Sequence, residues 1–324
     1  MIEAILQALI KDLIPAILAL WKCVLGWWKW VVDKRGKDEE PPTLASCVPI
    51  NHPNFKRPDP LIYDQYYLMG LGLAVSWQNP DIKILQGGVP VASSYDLQPR
   101  TKYTIRARIW NASTDAVCGG MPVFFSYLSF GVGTQSNPIG QTSVNLGAKG
   151  SASCPVYAEM EWTTPSAPGH YCIQVSFAWP DDLNPFNNLG QENTQVVPAH
   201  SPGVFTFALR NVGGEPRDFR FAPDTFAIEP PPPCSDPRRN GKVALYRGVS
   251  TLARLRNSRT ANPLPADWQV TFAPAAPSLS PGEQIDIQVT VTPPNSFHGQ
   301  QPINIHTFSG PDLIGGVTIS LQRN

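Results

Sequence analysis

Prolines occupy 35 of the 324 positions, and that density is the first limit on the fold. Each proline removes a backbone N–H and clashes with the preceding helical turn, so a chain this rich in them is not built mainly from long helices. Prolines suit turns, strand edges and linkers instead. Between them, short segments alternate apolar and polar residues with the period of a strand. In residues 103–110, Tyr103, Ile105, Ala107 and Ile109 share one face, with Arg106 and Arg108 opposite. Residues 123–130 are apolar almost throughout, as a central strand requires, and 156–162 places Val156, Ala158, Met160 and Trp162 inward. In 171–179, Tyr171, Ile173, Val175, Phe177 and Trp179 line up on one side, and 71–77 is a further candidate strand. The C-terminal half repeats the pattern at 204–210, 268–272, 285–291, 303–308 and 317–321.

These segments predict a mostly β chain: two tandem Ig-like antiparallel β-sandwiches, at 63–198 and 199–324, preceded by a long amphipathic N-terminal α-helix. An extended linker is expected over 41–62. With 42% hydrophobic residues the chain can bury ordinary cores, and its formal net charge is zero, so no global attraction to nucleic acid is expected. The six cysteines, Cys23, Cys47, Cys118, Cys154, Cys172 and Cys234, show no CxxC spacing, which argues against a zinc or thioredoxin-like site. They are expected as free thiols.

Residues 1–40 carry most of the functional signal. On a helix, Glu3, Gln7, Lys11, Lys22 and Lys29 form one narrow polar stripe, and almost everything else is Ile, Leu, Val, Ala, Cys or Trp. Glu3, the length of the apolar stretch and the lack of a cleavage site do not fit a cleavable signal peptide. The segment from Leu13 to Val32, with Ile17 and Leu20 among its apolar residues, is long enough to cross a bilayer, although Lys22 would then sit near its middle at a cost on the order of 3 kcal/mol. Trp21, Trp27, Trp28 and Trp30 suit a membrane interface, where the ring is dry and the indole N–H is wet. Three placements follow: an in-plane or oligomerised membrane helix, a single span, or a helix in the groove of a protein partner. The chain is thus expected at a membrane, on a side the sequence does not settle, or within a larger assembly or homo-oligomer.

The strings "LQPRTKYTIRARIWNAST", "APGHYCIQVSFAWPDDLNPFNNLG" and "ENTQVV" resemble the bacterial cell-adhesion-related Ig-like family known as CARDB. In the second half, "FALRNVGGEPRDFRF" and "DWQVTFAPAAPSLSPGEQIDIQVTVTPP" resemble the bacterial Ig-like domain that accompanies NPCBM carbohydrate-binding modules. The first resemblance implies the sandwich architecture and no particular ligand; the second implies a spacer or adhesive module with no active site. Tyr171, after a Pro-Gly turn, stands where the tyrosine corner of such sandwiches is expected.

Two further features concern ligands. An insertion at 230–265 gathers Arg238, Arg239, Lys242, Arg247, Arg254, Arg256 and Arg259, with no acidic residue between Pro237 and Ala266. It could face anionic lipid, an acidic partner, nucleic acid or only solvent. Asp181, Asp182 and Asn184 concentrate hard oxygen donors, a weak calcium candidate, since Asp and Asn also cap turns. No cofactor is expected. The five histidines are unpaired in spacing and no hydrolase, phosphate-loop or dinucleotide motif is present, so the expectation is a non-catalytic structural or adaptor subunit. A membrane-inserting, pore-forming oligomer and a carbohydrate-binding or adhesion module are the alternatives.

Overall fold

The computed structural model describes residues 57–91, 97–166, 170–198, 203–228, 258 and 260–323. The stretch 1–56, with its expected helix, and residues 229–257 and 259, which hold all seven cations of the insertion, lie outside them.

The described chain is mostly β. In the first sandwich, β1 (Pro60–Leu61), β2 (Ile82–Gln86), β3 (Val89–Pro90), β4 (Lys102–Asn111) and β8 (Val156–Thr163) form one sheet, with β4 paired to β1, β2 and β8. The other sheet runs in the order β10 (Leu189–Glu192), β9 (Tyr171–Phe177), β5 (Cys118–Ser129), β7 (Ser136–Leu146). The alternation read in β4 is the alternation observed: Tyr103, Ile105, Ala107 and Ile109 are buried and meet Val123, Phe125, Ile173 and Val175 in one core. Each such side chain contributes about 1.5–3 kcal/mol by leaving water. Pro122 fits inside β5 because pairing with β9 begins only at Val123.

The second sandwich stacks two sheets around Phe205, Phe207, Leu209, Ile287, Val289, Ile305 and Ile319. One is β14 (Gln269–Ala273), β16 (Gln284–Thr292), β12 (Gly203–Arg210), β6 (Gly131–Val132). The other is β11 (Thr194–Pro198), β18 (Asp312–Arg323), β17 (Gly299–Ser309), β13 (Arg217–Asp224), β15 (Ser278–Leu279).

Two of those strands come from chain that belongs, in sequence, to the first sandwich. β6 leaves β5 and runs parallel to β12, and β11 leaves β10 and runs parallel to β18 for five residues. Phe130 and Val132 are consequently buried in the second core. The crossover between sandwiches thus falls at Asn193 rather than after residue 198. Likewise Pro60 and Leu61, at the end of the expected linker, are already a strand paired with Trp110 and Asn111.

Residues 71–77 are not a strand. A short helix, α1 (Gln65–Gly70), precedes them, and Leu73, Ala74, Val75 and Trp77 are buried in turns and irregular backbone. Their apolar character is real, but side chains elsewhere take their backbone bonds: Tyr63 Oη accepts from Ser76 N–H at 2.9 Å, and Thr318 Oγ1 from Trp77 N–H at 2.8 Å. Tyr103 Oη accepts from Gln98 N–H at 2.9 Å, a backbone-to-phenol bond of the kind a tyrosine corner makes, and Tyr171 packs edge-on against Tyr127 and Trp162.

Both sandwiches end their first long strand with the same device. Asn111 closes β4, donating through Nδ2 to Ala116 O and Gly147 O and accepting from Ser113 N–H. Asn211 follows β12 and does the same with Glu215 O, Leu279 O and Gly213 N–H. The Asn111-Ala112-Ser113 sequon is therefore occupied structurally: Asn111 is 2% exposed and its amide nitrogen is already bonded twice.

Close approach at the crossover depends on glycine. A Cβ on Gly316 would lie 2.3 Å from Trp77 Nε1 and 2.4 Å from Ile305 O, and one on Gly131 would lie 2.0 Å from Ala208 O. Gly316→Ala is expected to lower unfolding free energy by about 2–4 kcal/mol through overpacking. Gly214→Ala, with nothing within 4 Å of its Cβ, should change it by under about 1 kcal/mol. Urea titrations of both variants check the contrast.

Candidate functional site

The most extensive buried polar arrangement among the described residues lies where the sandwiches meet. Trp77, fully buried, donates its N–H to Thr318 Oγ1 and accepts at its carbonyl from Asn193 N–H at 2.8 Å. Thr318 N–H donates to Asn193 O at 3.0 Å, and the Asn193 amide donates to Gly316 O at 3.0 Å and Gly131 O at 3.2 Å. Three segments are thereby tied to one another: the run after α1, the crossover at Asn193, and β18.

From Thr318 the bonds continue into the second sandwich. Its hydroxyl donates to Asn304 Oδ1 at 2.7 Å, and Asn304 Nδ2 donates to Asp224 Oδ1 at 2.6 Å and to Phe226 O at 2.8 Å. Asp224 Oδ2 lies 2.6 Å from His306 Nε2. In the other direction, Tyr63 N–H donates to Asp81 Oδ2 at 3.0 Å. Asp81 Oδ1 accepts from Arg108 Nε at 2.8 Å and Trp110 Nε1 at 3.1 Å. Burial pushes the Tyr63 phenol up, so it stays protonated.

An aspartate against a histidine is half of a nucleophile-activating triad. Here Asp224 is 4% and His306 3% exposed, so both are almost wholly withdrawn from solvent. Asp224 instead closes β13 at the root of the insertion, where Thr225 N–H donates to Asn262 O at 3.0 Å. The pair ties β13 to β17, and the Thr225–Asn262 bond with the Asp224–Pro263 bridge holds residues 224–225 and 262–263 together.

A second cluster ties α1 to β10. Asp64 caps the helix by accepting from Tyr67 N–H at 3.0 Å and accepts from Leu189 N–H at 2.9 Å. Burial pushes its carboxyl up to about 6, against the pull of those donors. The folded chain therefore holds this proton more tightly than the unfolded one.

Of the residues singled out in the sequence, Leu13, Ile17, Leu20, Trp21, Lys22, Trp27, Trp28, Lys29 and Trp30 lie outside the described residues. So do Arg238, Arg239, Lys242, Arg247, Arg254, Arg256 and Arg259. Asp181, Asp182 and Asn184 are described and sit between β9 and β10. Asp181 is exposed. Asp182 is buried, caps the turn by accepting from Asn184 N–H at 2.9 Å, and accepts from Asn188 Nδ2 at 2.6 Å. The junction residues Trp77, Asn193, Asp224, Asn304, His306 and Thr318 were not legible as a set, because they meet only across the crossover.

No family model and no curated protein matches the chain. Solved structures that share some of its course include the CupB2 chaperone of Pseudomonas aeruginosa (13% identity, 40% of this chain, 52% of that one, TM-score 0.24). The Escherichia coli alpha-2-macroglobulin activated by porcine elastase is similar at 10% identity over 75% of this chain and 22% of that one, TM-score 0.23. Red sea bream transglutaminase follows at 8% identity over 79% and 33%, TM-score 0.21. The chain spans about half or less of each of these proteins, and TM-scores this low give the likenesses no weight for function.

Two outcomes are expected. Thr318→Val leaves Trp77 N–H and Asn304 Oδ1 buried without their shared hydroxyl and should cost about 1–3 kcal/mol, read from chemical denaturation. For Asp64 the stabilisation is full below about pH 3.8, the ordinary value of an aspartate side chain, and is lost as pH rises to about 6. The stability difference between the wild type and Asp64→Asn should therefore fall across that window and be flat above it, as urea midpoints from pH 4 to 7 would show.

Proposed function

We propose that this chain is a non-catalytic structural or adaptor subunit: two tandem Ig-like sandwiches held by their junction as one spacer, attached through the N-terminal apolar segment to a membrane or a larger protein assembly. The observation that carries this reading is the crossover itself. Strands β6 and β11 enter the second sandwich from the first, and Trp77, Asn193 and Thr318 close the joint with buried hydrogen bonds. Domains that rearrange to act on a substrate usually meet through small, polar, separable contacts, whereas a shared sheet resists rearrangement. The covered Asp224–His306 pair serves the same end, giving rigidity rather than reactivity. The resemblance of the second half to a bacterial Ig-like spacer or adhesive domain agrees with this role.

The apolar N-terminal segment supplies the attachment, because a stripe of five polar residues leaves far more apolar surface than a solvated helix tolerates. The full-length protein should co-float with lipid vesicles or co-elute with a larger complex. A variant lacking residues 1–40 should remain in the soluble, monomeric fraction with unchanged thermal stability. Undiminished co-fractionation of the truncated chain overturns the proposal.

A further inference from the structure

One sheet of the first sandwich is set apart by what it lacks. Strands β9, β5 and β7 lie side by side, 7, 12 and 11 residues long, and none of them holds an Asp, Glu, Lys or Arg. At the 15% charged residues of the whole chain, they would hold about four or five. The opposite sheet is a solvated surface by comparison: β2, β4 and β8 carry Lys83, Lys102, Arg106, Arg108, Glu159 and Glu161.

The register shows what stands in place of charge. Across β5 and β7, Pro122 lies opposite Ser143, Phe124 opposite Gln141, Ser126 opposite Pro138 and Leu128 opposite Ser136. Ser176 and Gln174 continue the Phe124 and Ser126 rows onto β9. Val123 and Phe125 point the other way, into the core, so these rows form the outer face. Phe124 is 40% exposed on a strand paired on both sides. Its ring borders an open hollow of about 340 Å³, with Ser126, Pro138 and Gln141 also in the lining. Beyond β9, Gln191 of the Gln174 row is covered by α1 and accepts from Tyr66 Oη at 3.2 Å. On the other side β7 is the outermost strand among the described residues.

We propose that this face is where two copies of the chain meet across a two-fold axis. Charge selects the occupant. A partner with an average surface would bring Lys, Arg, Asp or Glu onto a face that offers no counter-charge, and burying an unpaired charge is strongly unfavourable. A copy of the same face brings none. The formal net charge of the chain is zero, so two copies do not repel one another as whole bodies. A two-fold axis through the face also offers the Phe124 ring of each copy to the hollow of the other, as a self-complementary patch requires. Three strands about 4.8 Å apart and about 23–40 Å long give roughly 500 Å² per copy, at the low end for a specific interface. Pairing is therefore weak, with a Kd of about 0.1 mM or higher, and the chain is a monomer in dilute solution. Copies pair when they are crowded. The N-terminal segment crowds them by gathering chains on one membrane or assembly, and to that extent the inference rests on the proposed attachment.

The test uses the full-length chain with the photo-cross-linking residue benzoylphenylalanine in place of Phe124. Irradiation at about 200 µM should give a covalent dimer whose linked peptides lie in β5, β7 or β9 of the second copy. The same probe in place of Val212, 72% exposed in the second sandwich, should give a tenth of that dimer or less. Gln141→Lys and Gln141→Glu, each added to the Phe124 probe chain, should each lower the yield about ten-fold, because like charges then meet across the axis. An equal mixture of the two should restore it to within about three-fold of the parent, a result that only a face meeting its own copy gives. Gln141 is exposed, so neither variant should change the melting temperature; should one do so, Ser143→Lys and Ser143→Glu, also exposed, repeat the contrast. Absence of the dimer, as expected if the occupant is another protein or a neutral glycan, overturns the proposal. So do cross-links that fall outside these strands, charged variants that pair like the parent, or a mixture no better than either variant alone. A dimer that disappears without residues 1–40 yet ignores both Gln141 variants also overturns it, while leaving the attachment reading intact. If the N-terminal segment attaches to nothing, the charge pattern at 200 µM still decides this face by itself.

Discussion

The described fold turns on Trp77. Its ring is fully buried between the sandwiches, and its two backbone groups bond in two directions, to Thr318 in the second sandwich and to Asn193 at the crossover. Gly316 leaves room for the ring, since any side chain there would meet the indole nitrogen and Ile305 O at once. Moving one sandwich against the other would expose this ring and break these buried hydrogen bonds. In a chain with a shared sheet at the same place, that cost is added to the loss of the β6 and β11 pairings rather than standing alone.

Among the described residues, four of the five buried aspartates hold together segments distant in sequence; Asp182, which bonds within its own loop, is the exception. Asp81 joins Tyr63 to Arg108 and Trp110, Asp64 joins α1 to β10, and Asp224 joins β13 to β17. By contrast, the ion pairs on the outer face of β4, Lys102–Glu161 and Arg106–Glu159, are largely exposed and contribute little individually. Specificity of assembly therefore comes from the interior, where an unpaired acceptor is costly, and much less from the surface.

How far the sequence revealed this can be judged residue by residue. The alternation of β4, β8, β12 and β16 was legible because each has one wet and one dry face, a signal of period two that needs no partner to be recognised. Leu73 to Trp77 read as a strand because a buried irregular run is as apolar as a buried strand. Only the side chains of Tyr63 and Thr318, 13 residues and 241 residues away from the amides they serve, separate the two cases. The crossover was invisible for a related reason: Gly131 and Val132 form a strand two residues long, too short to show any period. Asp182 could be picked out by composition, but Asp59, which lies against the same loop, could not, since it enters from the other end of the domain in sequence.

The parallel pairing of β11 with β18 has a mechanical consequence. Tension drawn between Arg57 and Arg323 pulls β11 from its Thr194 end and β18 from its Arg323 end, in opposite directions along neighbouring strands. The five rungs from Thr194–Thr318 to Pro198–Gln322 then share the load together and must slip as a group. In a hairpin pulled apart at its open end, by comparison, the rungs fail one at a time. A molecule joined in this way gives way in steps of whole strands, so below that threshold it transmits force with little extension.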